Sequence, residues 1–294
     1  MTTAIGVLCA RVRVEEKQII TALADAGAVA MPVPPASLPL PSCPAPRDLA
    51  ALGKQSAQGN GANPVPGVIV DRSANRSVAG ALLQLLKRAG VEVIDAGLAS
   101  RGSRLDVAAS LMSAGLPRPA SLVAFSELSG LQAAASVGFP STLLPIKPGS
   151  TTTVLLDQDT ADAVIEHRVV LGSEDEALIL VQAGAPTSAD LVRIHVVDGK
   201  AIAFEGEEPT TAAIDLAQSA AQVLDALFAS IDIACINGEC LVWDVIPVAD
   251  FRQSTLLGDV TVGGALAALA TERASRVAMK AGWEGITHAI ALTA

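Results

Sequence analysis

The sequence predicts a mixed fold: an open α/β domain over about residues 1 to 97, then an α+β region rich in hairpins. Three observations carry this. Short apolar runs alternate with helical patterns from Ala4 to Asp95, as they do in a parallel sheet. Two pairs of apolar runs flank Asp198-Gly199 and Asn237-Gly238, dipeptides that favour tight hairpin turns. The 294 residues, 51% of them hydrophobic, suffice for about two domains with real cores.

Taken in order, residues 4 to 9 read as a strand, Glu15 to Ala28 as an amphipathic helix, and the apolar piece ending at Pro32 as a second strand. Seven prolines between Pro32 and Pro46 make that stretch an extended surface connection, because proline cannot donate to a sheet interior. Residues 55 to 66 read as a second loop. A strand at Gly67 to Asp71, a helix at Ser77 to Arg88 and a strand at Val91 to Asp95 complete the first domain. Ligands of such sheets lie at the carboxyl ends of the strands, which singles out Arg11, Arg13, Asp71 and Arg72.

A helix from Arg104 stops at Gly115 and Leu116-Pro117-Arg118-Pro119. A strand follows at Ser121 to Phe125, then a helix with Ser126 as its cap, and strands at 141 to 147 and 151 to 156 around Pro148-Gly149-Ser150. Next come a helix from Asp159 to Val170, a strand at Ala177 to Gln182, and the hairpin 191 to 205. An Ala-rich helix spans Thr211 to Ala229, a second hairpin begins at Ile231, and a helix covers Gly264 to Met279 before a tail.

The second hairpin carries Asp232 and Asp244. A two-residue turn at Asn237-Gly238 sets Cys235 opposite Cys240 and sends the two acids to opposite faces. A three-residue loop with Gly238 as its bulge pairs Cys235 with Glu239 and brings both acids to one face. The bulged turn is preferred, since it also puts Ile231, Ile233, Cys235, Leu241, Trp243 and Val245 together on an apolar face. Two carboxylates on one face offer the hard oxygen ligands that Mg²⁺ takes.

Charged residues make up 17% of the chain and the net charge is -10, which repels nucleic acid and anionic membranes. No run approaches the length of a membrane span and no secretory signal opens the chain, so a cytoplasmic protein is expected. The four cysteines, Cys9, Cys43, Cys235 and Cys240, fit no zinc spacing; reduced thiols are expected, with Cys9 in a core.

Taken together these pieces resemble the ATP-grasp carboxylate-amine ligases of the RimK/LysX type, which join glutamate or aminoadipate to a protein or carrier. The residues that carry the likeness are GVLCARVRVEEK at 6 to 17, Val70-Asp71-Arg72-Ser73, Gly115 to Pro119, Val123 to Ser126, Glu166-His167-Arg168, Val196 to Ala203, and Asp232 and Asp244 with Asp250-Phe251 beyond. The resemblance implies an ATP-grasp architecture: a pre-ATP-grasp domain at 1 to 97, a central small lobe at 98 to 184 and a C-terminal lobe at 185 to 294. It also implies ATP and Mg²⁺ as cofactors, an acyl phosphate intermediate and release of ADP.

By the same resemblance Arg193 is the catalytic candidate, Asp232 and Asp244 would hold Mg²⁺, and Arg104, Lys147, Gly149, Ser150 and Gln182 would hold the nucleotide. The match departs from the family at several points. Leu144 stands where a phosphate-binding lysine is expected, and Lys147 substitutes only if the strand bends at Pro145 or Pro148. Ile246 stands at the third metal position, and Ala183 where an acid would hold the ribose. Glu205-Gly206-Glu207-Glu208 replaces a long loop that meets the acyl phosphate. Two functions follow. One is a degenerate ligase homologue that binds or regulates, with a carrier protein or a second copy as partner. The other is an active ligase with an altered site. The lost groups act on one transition state, and each such charge is worth ~10²- to 10³-fold, which favours the first.

Overall fold

A computed structural model describes residues 4–38, 66–147, 151–171, 178–187, 190–236 and 238–292, with the backbone alone for Ile236 and 280–292. The chain divides into two compact units, 1–95 with 250–294, and 96–249.

The first unit is built on four parallel strands, β1 (Ile5–Leu8), β2 (Ala30–Val33), β3 (Val68–Asp71) and β4 (Glu92–Ile94), in the order β2-β1-β3-β4. β1 and β3 are buried at every position, which is why they read as unbroken apolar runs rather than alternating ones. Pro32 lies on the edge strand β2, where a missing N-H is tolerated. Beyond it Pro35–Ser37 makes a single 3₁₀ turn, and the rest of the proline segment falls outside the described residues. Helix α1 (Val14–Asp25) follows β1, and α2 (Arg76–Arg88) packs Leu82, Leu83 and Leu86 against Leu8 and Ile69.

Two expectations for the C-terminal region are corrected. The final helix does not give way to a tail after Met279: its backbone is helical over Val262–Leu292. Residues 250–294, placed by sequence in the last lobe, group instead with the N-terminal sheet. Val262, Leu266, Ala270 and Ala274 are buried at helical spacing, and this helix packs on α1 and β3. Among the described residues no helix is long and apolar enough to cross a membrane.

The second unit holds two antiparallel sheets. In the smaller, β5 (Ser121–Ala124), β6 (Ser141–Pro145), β7 (Thr153–Leu155) and β8 (Ile179–Ala183) run in the order β5-β8-β6-β7. Helices at Glu127–Val137 and Gln158–Leu171 close its core through Ala133, Ala134, Ala161 and Ile165. The first opens as expected, with the Ser126 hydroxyl accepting from the Ser129 amide at 3.2 Å.

In the larger sheet β9 (Leu191–Val197), β10 (Lys200–Glu205), β11 (Phe228–Ile236) and β12 (Glu239–Ile246) neighbour one another in the order β12-β11-β9-β10. Helix Thr211–Val223 lays Ala213, Ala217, Ala220 and Ala221 on one face of it. That helix ends earlier than its Ala-rich sequence suggests. Leu224 caps it and Asp225 adopts φ 53, so the apolar run from Phe228 starts a strand instead.

The hairpin register departs from the bulged turn. Cys235 pairs with Cys240 and Ile236 with Glu239, so the loop between them has two residues and Gly238 takes φ 83. Cys235 and Cys240 form a disulfide, where reduced thiols were expected, because this register sets them directly opposite at a Cα separation of 4.1 Å. The extra residue lies further along. Ile233 pairs with Val242 but Asp232 with Asp244, so Trp243 is the bulge. Asp232 and Asp244 therefore face each other, as expected, for a different reason. Val242 moves to the helix-covered core with Ile233 and Val245, and Trp243 leaves it to pack by Gly184.

Candidate active site

The larger sheet carries a row of charges across its strands. Register places Glu205 beside Arg193, Arg193 beside Asp232, and Asp232 beside Asp244. Arg193 grips Asp232 with two bonds, Nε to Oδ1 at 2.7 Å and Nη2 to Oδ2 at 2.9 Å. Its Nη1 lies 3.8 Å from Glu205. Arg104, the first residue of the helix Arg104–Ser113, grips Asp244 in the same way, Nε to Oδ1 at 3.0 Å and Nη2 to Oδ2 at 2.7 Å. Paired parallel N-H···O bonds of this kind are the strong form of the interaction.

Sequence places Arg104 there through its capping box. Ser103 and Asp106 exchange bonds and fix the first turn, while the Arg104 amide donates to the Ile146 carbonyl at 2.7 Å. The Nη1 of Arg104 then donates to the carbonyls of Pro145 and Lys147, at 2.7 and 2.9 Å. Lys147 thus meets the site through its backbone, and its side chain is exposed. Leu144 is buried in β6 and supplies no charge.

Burial dominates the electrostatics. It pushes the Asp232 carboxyl above its ordinary range, against the pull of Arg193, with the Asp244 charge adding to the push. The bonds to Asp232 raise the Arg193 guanidinium in turn. Both acids were expected to hold Mg²⁺, and as arranged they do not fit it. Both oxygens of each carboxylate accept from a guanidinium, and Asp244 Oδ1 also accepts from the Val245 amide at 2.9 Å. The third position is Ile246, and among the described residues no group of three or more His, Cys, Asp or Glu could hold a metal.

The nucleotide candidates divide. Gly149 and Ser150 lie outside the described residues. Gln182 is wholly buried, its amide nitrogen donating to the Trp243 carbonyl at 3.2 Å, so it ties β8 to β12.

In the first unit Arg11 is exposed, while Arg13, Asp71 and Arg72 are engaged internally. Arg72, wholly buried, donates to Glu16 at 3.0 Å and lies 5.2 Å from the Phe251 ring centroid. Arg13 donates to both oxygens of Glu16 at 3.1 Å. Asp71 pairs with Arg76 at 2.9 Å. Asp71 and Arg72, expected at a ligand-facing edge, therefore hold the fold together. Sequence reasoning missed Glu16, the carboxylate between two arginines, although its three-residue spacing from Arg13 at a helix start was the signal.

No family model matches the chain. Solved structures do. A RimK domain ATP-grasp protein from Sphaerobacter thermophilus is 24% identical, with 91% of this chain and 99% of that one covered and a TM-score of 0.71. The ATP-grasp ligase PsnB, in complex with a minimal precursor, Mg and ADP, is 20% identical, covering 92% and 98%, with a TM-score of 0.63. D-alanine–D-alanine ligase from Bacillus anthracis, in complex with ATP, is 14% identical, covering 95% and 99%, with a TM-score of 0.61. With likeness over nine-tenths of its length to three such structures, the chain has the ATP-grasp fold.

Proposed function

We propose that this chain is an ATP-grasp protein in which the ligase reaction is lost or nearly lost, and that it works as a binding or regulatory partner. One observation carries this reading: each of the two acids that a magnesium site needs is closed by its own arginine. A metal entering between them would have to displace a two-bond guanidinium pair and would meet two cations. The lack of an oxygen ligand at Ile246 and the acids at 205 to 208 point the same way. The partners that suit such a protein are an amino-acid carrier protein or a second copy of the chain, in the cytoplasm.

The test is the melting temperature of purified protein in millimolar ATP, with and without Mg²⁺, repeated on Asp232→Asn. The expected result is no Mg²⁺-dependent shift in either. A shift that the substitution removes, followed by ADP release with an amino acid and a carrier, would overturn the reading. The chain would then be an ADP-forming carboxylate-amine ligase.

A further inference from the structure

Among the described residues Arg118 makes no ion pair of its own. It sits in the Pro117-Arg118-Pro119 segment that leads into β5, and the Pro117 carbonyl accepts from the Val242 amide at 2.9 Å, which ties the segment to β12. Its Nη2 makes a 3.3 Å bond to the neutral Gln182 Oε1, and its Nε and Nη1 atoms are buried with no hydrogen-bond partner among the described residues. The acid whose charge reaches it is Asp244, both of whose oxygens already accept from Arg104. Burial lowers the affinity of this guanidinium for its proton.

The residue is partly buried, but two of its donor nitrogens are fully so, and a buried donor left unsatisfied asks for a partner. We infer that Arg118 is the recognition residue of an oxyanion subsite beside Gln182, taking the carboxylate or phosphate group of a small ligand. Guanidinium suits either, since its donors match the planar fork of a carboxylate and the edge of a phosphate. Binding there needs no divalent cation, because the positive charge is supplied by the chain. The inference is separate from the loss of the ligase reaction: an anion at Arg118 is compatible with an inactive or an active protein.

Calorimetric titration of the full chain in EDTA, with inorganic phosphate in one arm and acetate in the other, tests it. Saturable binding in the phosphate arm assigns a phosphate ligand, and in the acetate arm a carboxylate. In either case Arg118→Gln should bind roughly 10- to 100-fold more weakly, the range set by hydrogen bonds to a charged group, and Arg118→Lys should retain part of the affinity. The unliganded melting temperature of Arg118→Gln should equal or exceed that of the wild type, since two buried donors without hydrogen bonds are removed. No saturable heat with either anion, or equal binding by wild type and Arg118→Gln, would overturn the subsite.

Discussion

Arg104 and Asp244 stand 140 residues apart in the chain and meet with both partners nearly buried, 4% and 10% exposed. Removing one of them leaves the other charged in a site that cannot solvate it. Arg104→Leu should therefore cost about 3–5 kcal/mol, read as a lower urea midpoint with an unchanged slope. Arg104→Leu combined with Asp244→Leu should recover most of that loss. If the double substitution were as unstable as the single one, packing rather than the stranded carboxylate would be the cause. The residue types of this site were legible: Arg104, Arg193, Asp232 and Asp244 can all be picked out of the sequence. Their partners were not. Family likeness assigns the arginines to phosphates and the acids to a metal, and nothing local to either residue says that a guanidinium reaches across to the carboxylate instead.

At the scale of the element, the β11–β12 hairpin shows where pattern reading reaches its end. Asn237-Gly238 announces the hairpin, but the bulged turn sorts the side chains better only while the rest of the hairpin is taken as regular. With Trp243 as a bulge the two-residue turn also brings both acids to one face, and Trp243 fits either face of a strand by hydropathy alone. The Gln182 bond to the Trp243 carbonyl is a long-range fact that a two-residue period cannot carry, whereas the disulfide spans only five residues and goes with the two-residue turn. Glycines mark other such points. Gly97 has φ 57, and a Cβ there would lie 1.8 Å from the Leu224 carbonyl oxygen, the acceptor of the Leu98 amide. Gly115 has φ 72 with open space around it. Gly97→Ala should thus cost more than ~3 kcal/mol, backbone clash added to strain, whereas Gly115→Ala should cost only the ~1–2 kcal/mol of a left-handed side chain. Equal losses by chemical denaturation would show that the close approach to Leu224 is not what holds Gly97 in place.

For the whole molecule, each unit buries an arginine–carboxylate pair, Arg72–Glu16 in the first and Arg104–Asp244 in the second. The fold class was readable because alternation in the first unit and hairpins in the second are local patterns. The grouping of the last helix with the first sheet was not, since it depends on a face that only the folded chain brings to α1 and β3. That first unit has Glu16 at its centre, wholly buried between Arg13 and Arg72. Burial alone would raise this carboxyl. The bonds and charges of the two arginines outweigh it and hold Glu16 below its ordinary value of 4.5. The unfolded chain therefore takes up the proton at a higher pH than the folded one does. Stability from Glu16 is fully present above the ordinary value and drains away as pH falls through the lowered one. Glu16→Gln should then be much less stable than the wild type at pH 7, with Arg72 left buried beside a neutral amide, and the gap should close as the pH is taken below 4.5. Unfolding free energies of both proteins between pH 7 and pH 3 measure it. A gap that stays constant across that range would mean that the contact between Glu16 and its arginines is held by shape and hydrogen bonding, not by charge.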